Sequence, residues 1–524
     1  MAVSVWRNHA IEPLLPLMQP YWSFGSIDAE VHLSGYDDSL AFADHRPVDV
    51  ELVWLDSSRY LGHMSLPSWT SWLATRLQTL RTMTSAPIIL ATWLPDGIPT
   101  TAVSDVSEAI TDCHLADIGE TCRQACLPTV DRRSAAIAGT PLNSRAHALI
   151  ARRLACHWLP GATLPALKAV AIDLDHTLYE GVLGEDGCAG IRMTLGHRRL
   201  QELLRSLRER GVFLALVSRN ETQDVEALFA QRTDFAIDWA DFSAREISWG
   251  DKAEALLRVA DRLRISTDAI IYVDDNLGEL LAIGERLPAV HTVNALPEAS
   301  LTATSIEYYP GLWRWRGTAE DAIRVADVEA NEVRQTTLAT SGDDSDYFKS
   351  LKVGLSLAYD CPDQLSRIAQ LCGKTNQFNL PLSRLSESQL AERAADSQSC
   401  LCGISLHDRL TDSGLIGVIV AARQESRLVV EELCISCRAL GRKLEDAMIL
   451  AGLHNMPIFP GCSEIVFEVA VGPRNAPARD WLQKLMGTST PIAAGRWTIP
   501  AAVVAASRLP DGINLEPSRY DDRK

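Results

Sequence analysis

Several large functional classes are excluded by what the chain lacks. No apolar run approaches the ~18–20 residues that span a bilayer; the best, such as Ile499–Ala506, is less than half that length. The opening residues Met1–Trp22 hold no uninterrupted apolar stretch and no small-residue cleavage signature, so no secretory signal is expected. Basic residues are outnumbered, with Lys plus Arg at 50 against Asp plus Glu at 67 and a formal net charge of −17. That balance argues against nucleic acid or an anionic membrane as the main partner, since both need a basic footprint. A local basic patch remains open. Cysteine is sparse for the length: 12 in 524 residues reads as buried or catalytic thiols of a reducing, cytoplasmic compartment. There is no internal repeat and no low-complexity tract. What is present is globular material: 47% apolar and 22% charged residues, in a length suited to two to four domains.

The first ~165 residues alternate apolar runs (Val48–Asp56, Ala86–Pro95) with the amphipathic stretch Trp69–Leu80, which predicts an α/β domain. Asp56 and Ser57 end a strand there and read as a polar strand-to-loop pair; no clear catalytic signature accompanies them. From Lys168 to about Ser300 the same alternation is stronger. The polar, acidic Ala339–Asp346 reads as a linker, and the last ~180 residues carry mixed strand and helix signals.

Chemistry concentrates in the second block. Ala169–Leu174 is an apolar run of parallel-strand type, and Asp173 and Asp175 at its end project to the same side. Two adjacent acids are costly unless a proton or a cation neutralises one, and Mg²⁺ with oxygen ligands would do so. Gly211–Asn220 ends in Ser218, Ala269–Asn276 ends in Asp274 and Asp275, and Lys252 opens an amphipathic helix between them. In a parallel α/β sheet, ligands collect outside the carboxyl ends of the strands, so these signals converge on one crevice. The order D-x-D-x-T, Ser, Lys, DD resembles that of the haloacid dehalogenase (HAD) superfamily, and the resemblance implies Asp173 as a nucleophile toward phosphorus and Asp175 as general acid and base. Asp173, Asp274 and Asp275, with Asp175 through its backbone carbonyl, read as the Mg²⁺ site; Ser218 and Lys252 read as phosphoryl-binding groups. Only about twenty residues separate Asp175 from a helix near His197, too few for a large cap, so the crevice is expected to be open.

Asp173–Gly187 (DLDHTLYEGVLGEDG) also resembles the FkbH-like family of polyketide pathways. The resemblance continues in Ala215–Glu221, Trp249 with Lys252, Tyr272–Asn276, Lys374–Asn379, Leu406–Ile419, Ile435–Arg442 and Gly472–Pro477. It implies three α/β domains: an SGNH-hydrolase-like α/β domain over 1–165, a HAD-like phosphatase domain over 166–300 with a Rossmannoid parallel sheet and no large cap, and a GNAT-like α+β acyltransferase domain over 346–524. A linker or helical connection spans 301–345. The implied activity is removal of phosphate from 1,3-bisphosphoglycerate, a phosphorylated three-carbon substrate, and transfer of the glyceryl group to the phosphopantetheine thiol of an acyl carrier protein. Thr177, Ser218, Arg219, Asn220 and Lys252 then serve as substrate-binding residues. Four positions depart from the family pattern: His176 for Asn, Tyr179 for Trp, Glu180 for Gly and Arg219 for Lys. Glu180 adds negative charge where an anionic substrate enters.

In the third domain Arg438-x-x-Gly441-x-Lys443 resembles an acyltransferase pyrophosphate loop at a helix N-terminus, with a crowding lysine at its third small position. Cys437 is the candidate acyl-transfer nucleophile, flanked by Arg438, Arg442 and Lys443; a buried strand-end cysteine is the alternative. Cys400, Cys402, Cys434 and Cys437 make a poor zinc pattern. His407 with Asp408 is a candidate base that reads more simply as a solvated pair. Lys374 and Asn376, with Asn379, are expected to shape the site. Two alternatives stand beside carrier loading: a simple HAD phosphatase with a degenerate third domain, and a third domain that only docks the carrier. An acidic enzyme must meet anionic partners through local positive charge, expected at Arg438, Arg442 and Lys443 and at Lys252 with Arg219.

Overall fold

The computed structural model describes residues 1–95, 97–131, 133, 139–315, 319–375, 377–472 and 474–516, with the backbone alone at 319–325, 329, 332 and 374. Its contacts divide the chain into two units, Met1–Ala166 with Thr304–Gly317, and Leu167–Ala303 with Thr318–Lys524.

The first unit is built on β1 (Ala2–Arg7), β2 (Glu30–Tyr36), β3 (Val50–Asp56), β4 (Ile88–Trp93) and β5 (Cys113–Asp117). They pair in parallel in the order β2-β1-β3-β4-β5. β3 and β4 are buried along their whole length, which is why both read as unbroken apolar runs rather than as alternating ones. The helix Leu66–Met83 buries Trp69, Leu73, Leu77 and Leu80, a spacing that keeps one face on the core. At the end of β3 the Ser57 hydroxyl donates to the Trp93 carbonyl, and Asp56 accepts from the Ser58 amide and hydroxyl. The pair is spent on loop geometry. Thr304–Gly317, expected as connection, belongs to this unit: His157 stacks on Tyr308 (4.7 Å) and Trp313 (5.4 Å), and its Nε2 meets the Glu307 carbonyl.

In the second unit β6 (Ala169–Ile172), β7 (Phe213–Ser218), β8 (Ala244–Ile247), β9 (Ile270–Asp274) and β10 (His291–Asn294) form an all-parallel sheet in the order β10-β9-β6-β7-β8. β6 lies at its centre, with Ile172 opposite Leu216 and Val273. The helix Leu195–Glu209 starts where the Thr194 hydroxyl accepts the His197 amide, and it packs Leu200, Leu204 and Leu207 on the core. The helix Lys252–Leu263 is capped by Asp251 and closes on Arg264 in the left-handed conformation.

Seven further strands follow: β11 (Val353–Tyr359), β12 (Ser399–His407), β13 (Asp412–Gln424), β14 (Arg427–Ile435), β15 (Glu464–Val469), β16 (Gly495–Pro500) and β17 (Ile513–Glu516). They pair as β16-β15-β14-β13-β12-β11-β17, a mixed sheet. β14 and β15 pair only over Arg427–Val430 with Glu464–Phe467. Beyond that point Phe378–Leu380 bonds to both sides: Leu380 donates to Leu433, Ile435 to Phe378 and Ala470 to Leu380. Asn475 locks the insertion, its Nδ2 reaching the carbonyls of Asn379 and Ala470. The stretch expected as a linker is largely helical, with helices over Ala319–Thr340 and Asp344–Leu351 and Asp343 capping the second.

Candidate functional site

Parallel strands send their C-terminal residues to one edge, and there Asp173, Ser218 and Asp274 meet. The Asp173 amide donates to the Val273 carbonyl (2.9 Å), which sets the two aspartates side by side. Lys252, in the first turn of its helix, reaches in between them, its Nζ 3.2 Å from Asp173 Oδ2 and 2.6 Å from Asp274 Oδ2. All three side chains are buried. Burial raises the Asp173 carboxyl to about 6; Lys252 opposes this and Asp274 adds to it. Burial alone would lower the Lys252 ammonium, but Asp173 and Asp274 outweigh it and hold it above its ordinary value.

Asp173 Oδ1 is buried and has no hydrogen-bond partner. Carboxylate oxygens of Asp173, Asp274 and Asp275 lie within 4.8 Å of one another. An orphaned carboxylate oxygen beside two further hard oxygen donors fits a divalent cation of the Mg²⁺ type, which would neutralise what one lysine cannot. Burial and Asp274 together raise the Asp275 carboxyl, as crowding of three acids requires.

Asp175 is set differently. Its Oδ1 accepts from the Tyr179 hydroxyl (2.7 Å) and the Leu183 amide (3.0 Å), and its Oδ2 accepts from Asn220 Nδ2 (3.0 Å). Three donors fix the half-buried carboxyl over the strand end. Asn220 also donates to the Ser218 hydroxyl (3.2 Å), so it orients the acid and the phosphoryl-binding serine together. Thr177 is buried with its hydroxyl unpartnered. Tyr272 donates its hydroxyl to Asp274 Oδ2, and the Asn276 amide donates to Oδ1 (2.8 Å). The positioning roles of Tyr179 and Tyr272 are not legible in the sequence because a tyrosine beside apolar residues reads as core; for Tyr272 its place two residues before a strand-end acid is the available signal.

Two expectations change here. Glu180 does not leave a bare charge at the entrance: Arg192 pairs with it, and the two residues bridge through their backbones (3.0 and 2.8 Å). Arg219, expected to bind substrate, bonds Glu279 instead (2.8 Å). No large cap covers the site among the described residues; a short helical flap, Leu183–Gly190, precedes the helix starting at Leu195.

In the C-terminal sheet the expected site residues part company. Arg442 is 2% exposed and lies in an internal network, 2.9 Å from Asp327, 3.2 Å from the Ser413 hydroxyl and 3.8 Å from Asp408. Arg334 completes it, 3.1 Å from Asp327 and 2.6 Å from Asp408. Arg442 is therefore a structural cation, and Asp408 is no partner for a His407 base. Lys443 pairs with Asp344 at the surface (2.5 Å). The helix after β14 begins at Glu445, not beside Arg438, and Glu445 accepts the Gly441 amide (2.8 Å), so an acid already occupies that amide of the expected phosphate loop. Cys400 and Cys402 lie on β12 and Cys434 on β14, with β13 between them. Among the described residues these cysteines and Cys437 form no metal cluster; Cys372, Glu432 and Cys434 do come together, fully buried. Cys437 and Arg438 line a cavity of their own. The Lys374 side chain and Asn376 lie outside the described residues.

No family model matches the chain, and no curated protein does. Among solved structures it is similar to the N-terminal part of a Bacteroides fragilis protein containing a phosphatase domain complexed with Mg, at 16% identity over 60% of this chain and 94% of that one, TM-score 0.46. It is also similar to the cobalt-bound deoxy-D-mannose-octulosonate 8-phosphate phosphatase of Haemophilus influenzae, at 15% identity over 28% of this chain and 89% of that one, TM-score 0.21. At such scores the likenesses carry no argument, and the geometry of the site must carry the function.

Proposed function

We propose that the second unit is a Mg²⁺-dependent phosphohydrolase of the HAD type that works through an aspartyl-phosphate on Asp173. The observation that carries this reading is the buried Asp173 with one oxygen unpartnered, set among Asp274, Asp275 and Lys252 at the end of a parallel strand, with Asp175 held two residues away. Asp173, Asp274 and Asp275 would hold the ion, which supplies charge neutralisation and orients the phosphoryl oxygens. An Asp173 oxygen forms a bond to phosphorus as the bond to the leaving oxygen breaks, and Asp175 donates its proton to that oxygen. Water then attacks the same phosphorus, Asp175 takes its proton back, and the bond to Asp173 breaks to release phosphate. Lys252, Ser218 and Thr177 bind the phosphoryl oxygens and offset their charge. The fixed Asp175 carboxyl suits a group that must face both the leaving oxygen and the incoming water.

Release of inorganic phosphate from a panel of small phosphomonoesters and acyl phosphates tests the reading. It should need Mg²⁺, vanish with EDTA, return on adding Mg²⁺ and be abolished in Asp173→Asn. Undiminished release by that variant would overturn it.

The finer reading follows from the FkbH-like resemblance: a cytoplasmic enzyme that takes a phosphorylated three-carbon acyl donor of the 1,3-bisphosphoglycerate type and loads the acyl group onto an acyl carrier protein. The Cys437 thiolate would attack the acyl carbon, forming a thioester and expelling phosphate, and the carrier thiol would then displace Cys437. Among the described residues no helix is long and apolar enough to cross a membrane. Intact-mass measurement of a holo carrier mixed with the enzyme, Mg²⁺ and freshly made donor distinguishes loading, seen as a glyceryl adduct, from simple hydrolysis, seen as phosphate without adduct.

A further inference from the structure

We propose that the second unit holds a separate ligand site, at the opposite edge of the phosphatase sheet from Asp173, that binds an organic phosphate with its functional end against the Cys437 thiol. This rests on the carrier-loading reading and deepens it, giving Cys437 a substrate chamber of its own.

The cavity has a volume of about 80 Å³, room for several ordered waters and so for a compact ligand. Lys168 and Phe213 on its wall fix its place. Lys168 immediately precedes β6 and Asp173 immediately follows it, while Phe213 opens β7 and Ser218 closes it. Five residue steps at ~3.3 Å each separate the two positions by about 16 Å along β6. The Asp173 crevice and this cavity thus open at opposite ends of the same strands.

Its charge is the reverse of the chain's. Among the described residues, Lys168, Arg264, Arg367, Arg438 and Arg474 line it with one carboxylate, Asp327, which Arg442 and Arg334 already neutralise. Two of these arginines are anchored: Arg264 donates to the Leu440 carbonyl, and Arg474 bonds Asp268 (2.8 Å). Held guanidinium groups pay little ordering entropy when an anion arrives, and their forked donors match phosphate oxygens. Apolar groups such as Phe213 and Leu371 complete the wall and would take a short carbon chain. Cys437, in the turn that follows β14, stands on that wall, so a phosphate held by the cations leaves the remainder of a small ligand at the thiol. A phosphorylated three-carbon acid has that make-up.

The test follows alkylation of Cys437 by iodoacetamide in the full chain, read on its peptide by mass spectrometry. Asp173→Asn serves as the background, so the probe is not consumed and the result does not depend on phosphatase turnover; the exposed Cys126 is the internal control. Saturating 3-phosphoglycerate should slow Cys437 alkylation at least about tenfold, leave Cys126 unchanged, and act far better than glycerate. In Arg264→Gln, and independently in Lys168→Gln should the first variant fold poorly, half-protection should require about ten- to a hundredfold more probe. No protection, equal protection by glycerate, or an unchanged requirement in both folded variants overturns the proposal. Undiminished phosphate release by Asp173→Asn with protection retained would instead strike the phosphatase reading alone.

Discussion

Replacing Arg442 with methionine separates a binding role for this residue from a structural one. Arg442 and Arg334 face Asp327 and Asp408 in a buried two-by-two set, with all four side chains at most 3% exposed. Two cations against two carboxylates are neutral. Arg442→Met leaves Asp327 and Asp408 sharing Arg334, and an uncompensated buried charge costs ~3–5 kcal/mol. The Thr411 and Ser413 hydroxyls, 2.7 and 2.8 Å from Asp327 Oδ1, hold the loss toward the lower figure. The assay is amide hydrogen exchange along β13 and β14, where exchange through local opening should accelerate by ~two to three orders of magnitude. Arg442→Met/Asp327→Asn restores charge balance while keeping an acceptor for both hydroxyls, so it should recover most of the loss. The arginines outweigh the effect of burial and lower the Asp327 pKa, so this stabilisation is present above the ordinary aspartate value and fades as pH falls through the folded one. Unchanged exchange in Arg442→Met, together with weakened binding of a phosphorylated ligand, would refute the structural assignment.

Three further outcomes are expected. Tyr179→Phe removes one of three hydrogen bonds to Asp175 from a buried ring, so kcat for phosphate release should fall ~10- to 100-fold with thermal stability nearly unchanged; wild-type kcat would show that Tyr179 does not position the acid. Glu432 is fully buried, and burial raises its carboxyl to about 7. Its protonated form is therefore the stable one, and its contribution is complete below ~4.5 and lost as pH rises through about 7, up to ~3 kcal/mol. Glu432→Gln should flatten that decline and be the more stable protein at pH 8 in denaturant unfolding; a wild-type slope in the variant would contradict this. Asp275→Asn, at the exposed edge of the acid cluster, should raise the Mg²⁺ concentration needed for half-maximal phosphate release about tenfold or more, read by titration, whereas an unaltered requirement would remove Asp275 from the ion's surroundings.

The central site was legible because a parallel sheet writes it locally. A fully buried strand is an unbroken apolar run, and the first polar residue after it must face the carboxyl edge; Asp173, Ser218 and Asp274 each announce themselves in that way, and Lys252 by its place after the helix cap Asp251. Asp175 was legible as an acid, but its three partners come from the next turn, the flap and the end of β7. Arg442 misled because flanking basic residues looked like a mouth, while its carboxylate partner Asp327 lies 115 positions earlier. Pairings at that separation leave no periodic trace. The aromatic run after Thr304 was likewise silent about its partner, since Tyr308 and Trp313 stack on His157, far upstream in the chain.

The net charge poses the remaining question of how an acidic chain receives an anion. Of the cations expected to do so, Arg442 is internal, Lys443 pairs with Asp344, Arg219 pairs with Glu279, and Lys252 lies between two aspartates. Arg438 lines the cavity, joined there by Lys168, Arg264, Arg367 and Arg474 from segments far apart in sequence. On the proposed function the crevice would receive its anion through Lys252 and a divalent ion, and on the further proposal the cavity would do so through its own cationic side chains. The two chambers share β6 and β7 but face opposite ways, so an acyl group bound to Cys437 and a phosphoryl group bound to Asp173 cannot belong to one bound small molecule in one pose. If both half-reactions occur on this chain, the three-carbon unit must leave one chamber before entering the other, and a long flexible tether such as a carrier's phosphopantetheine arm would keep it from being lost between them.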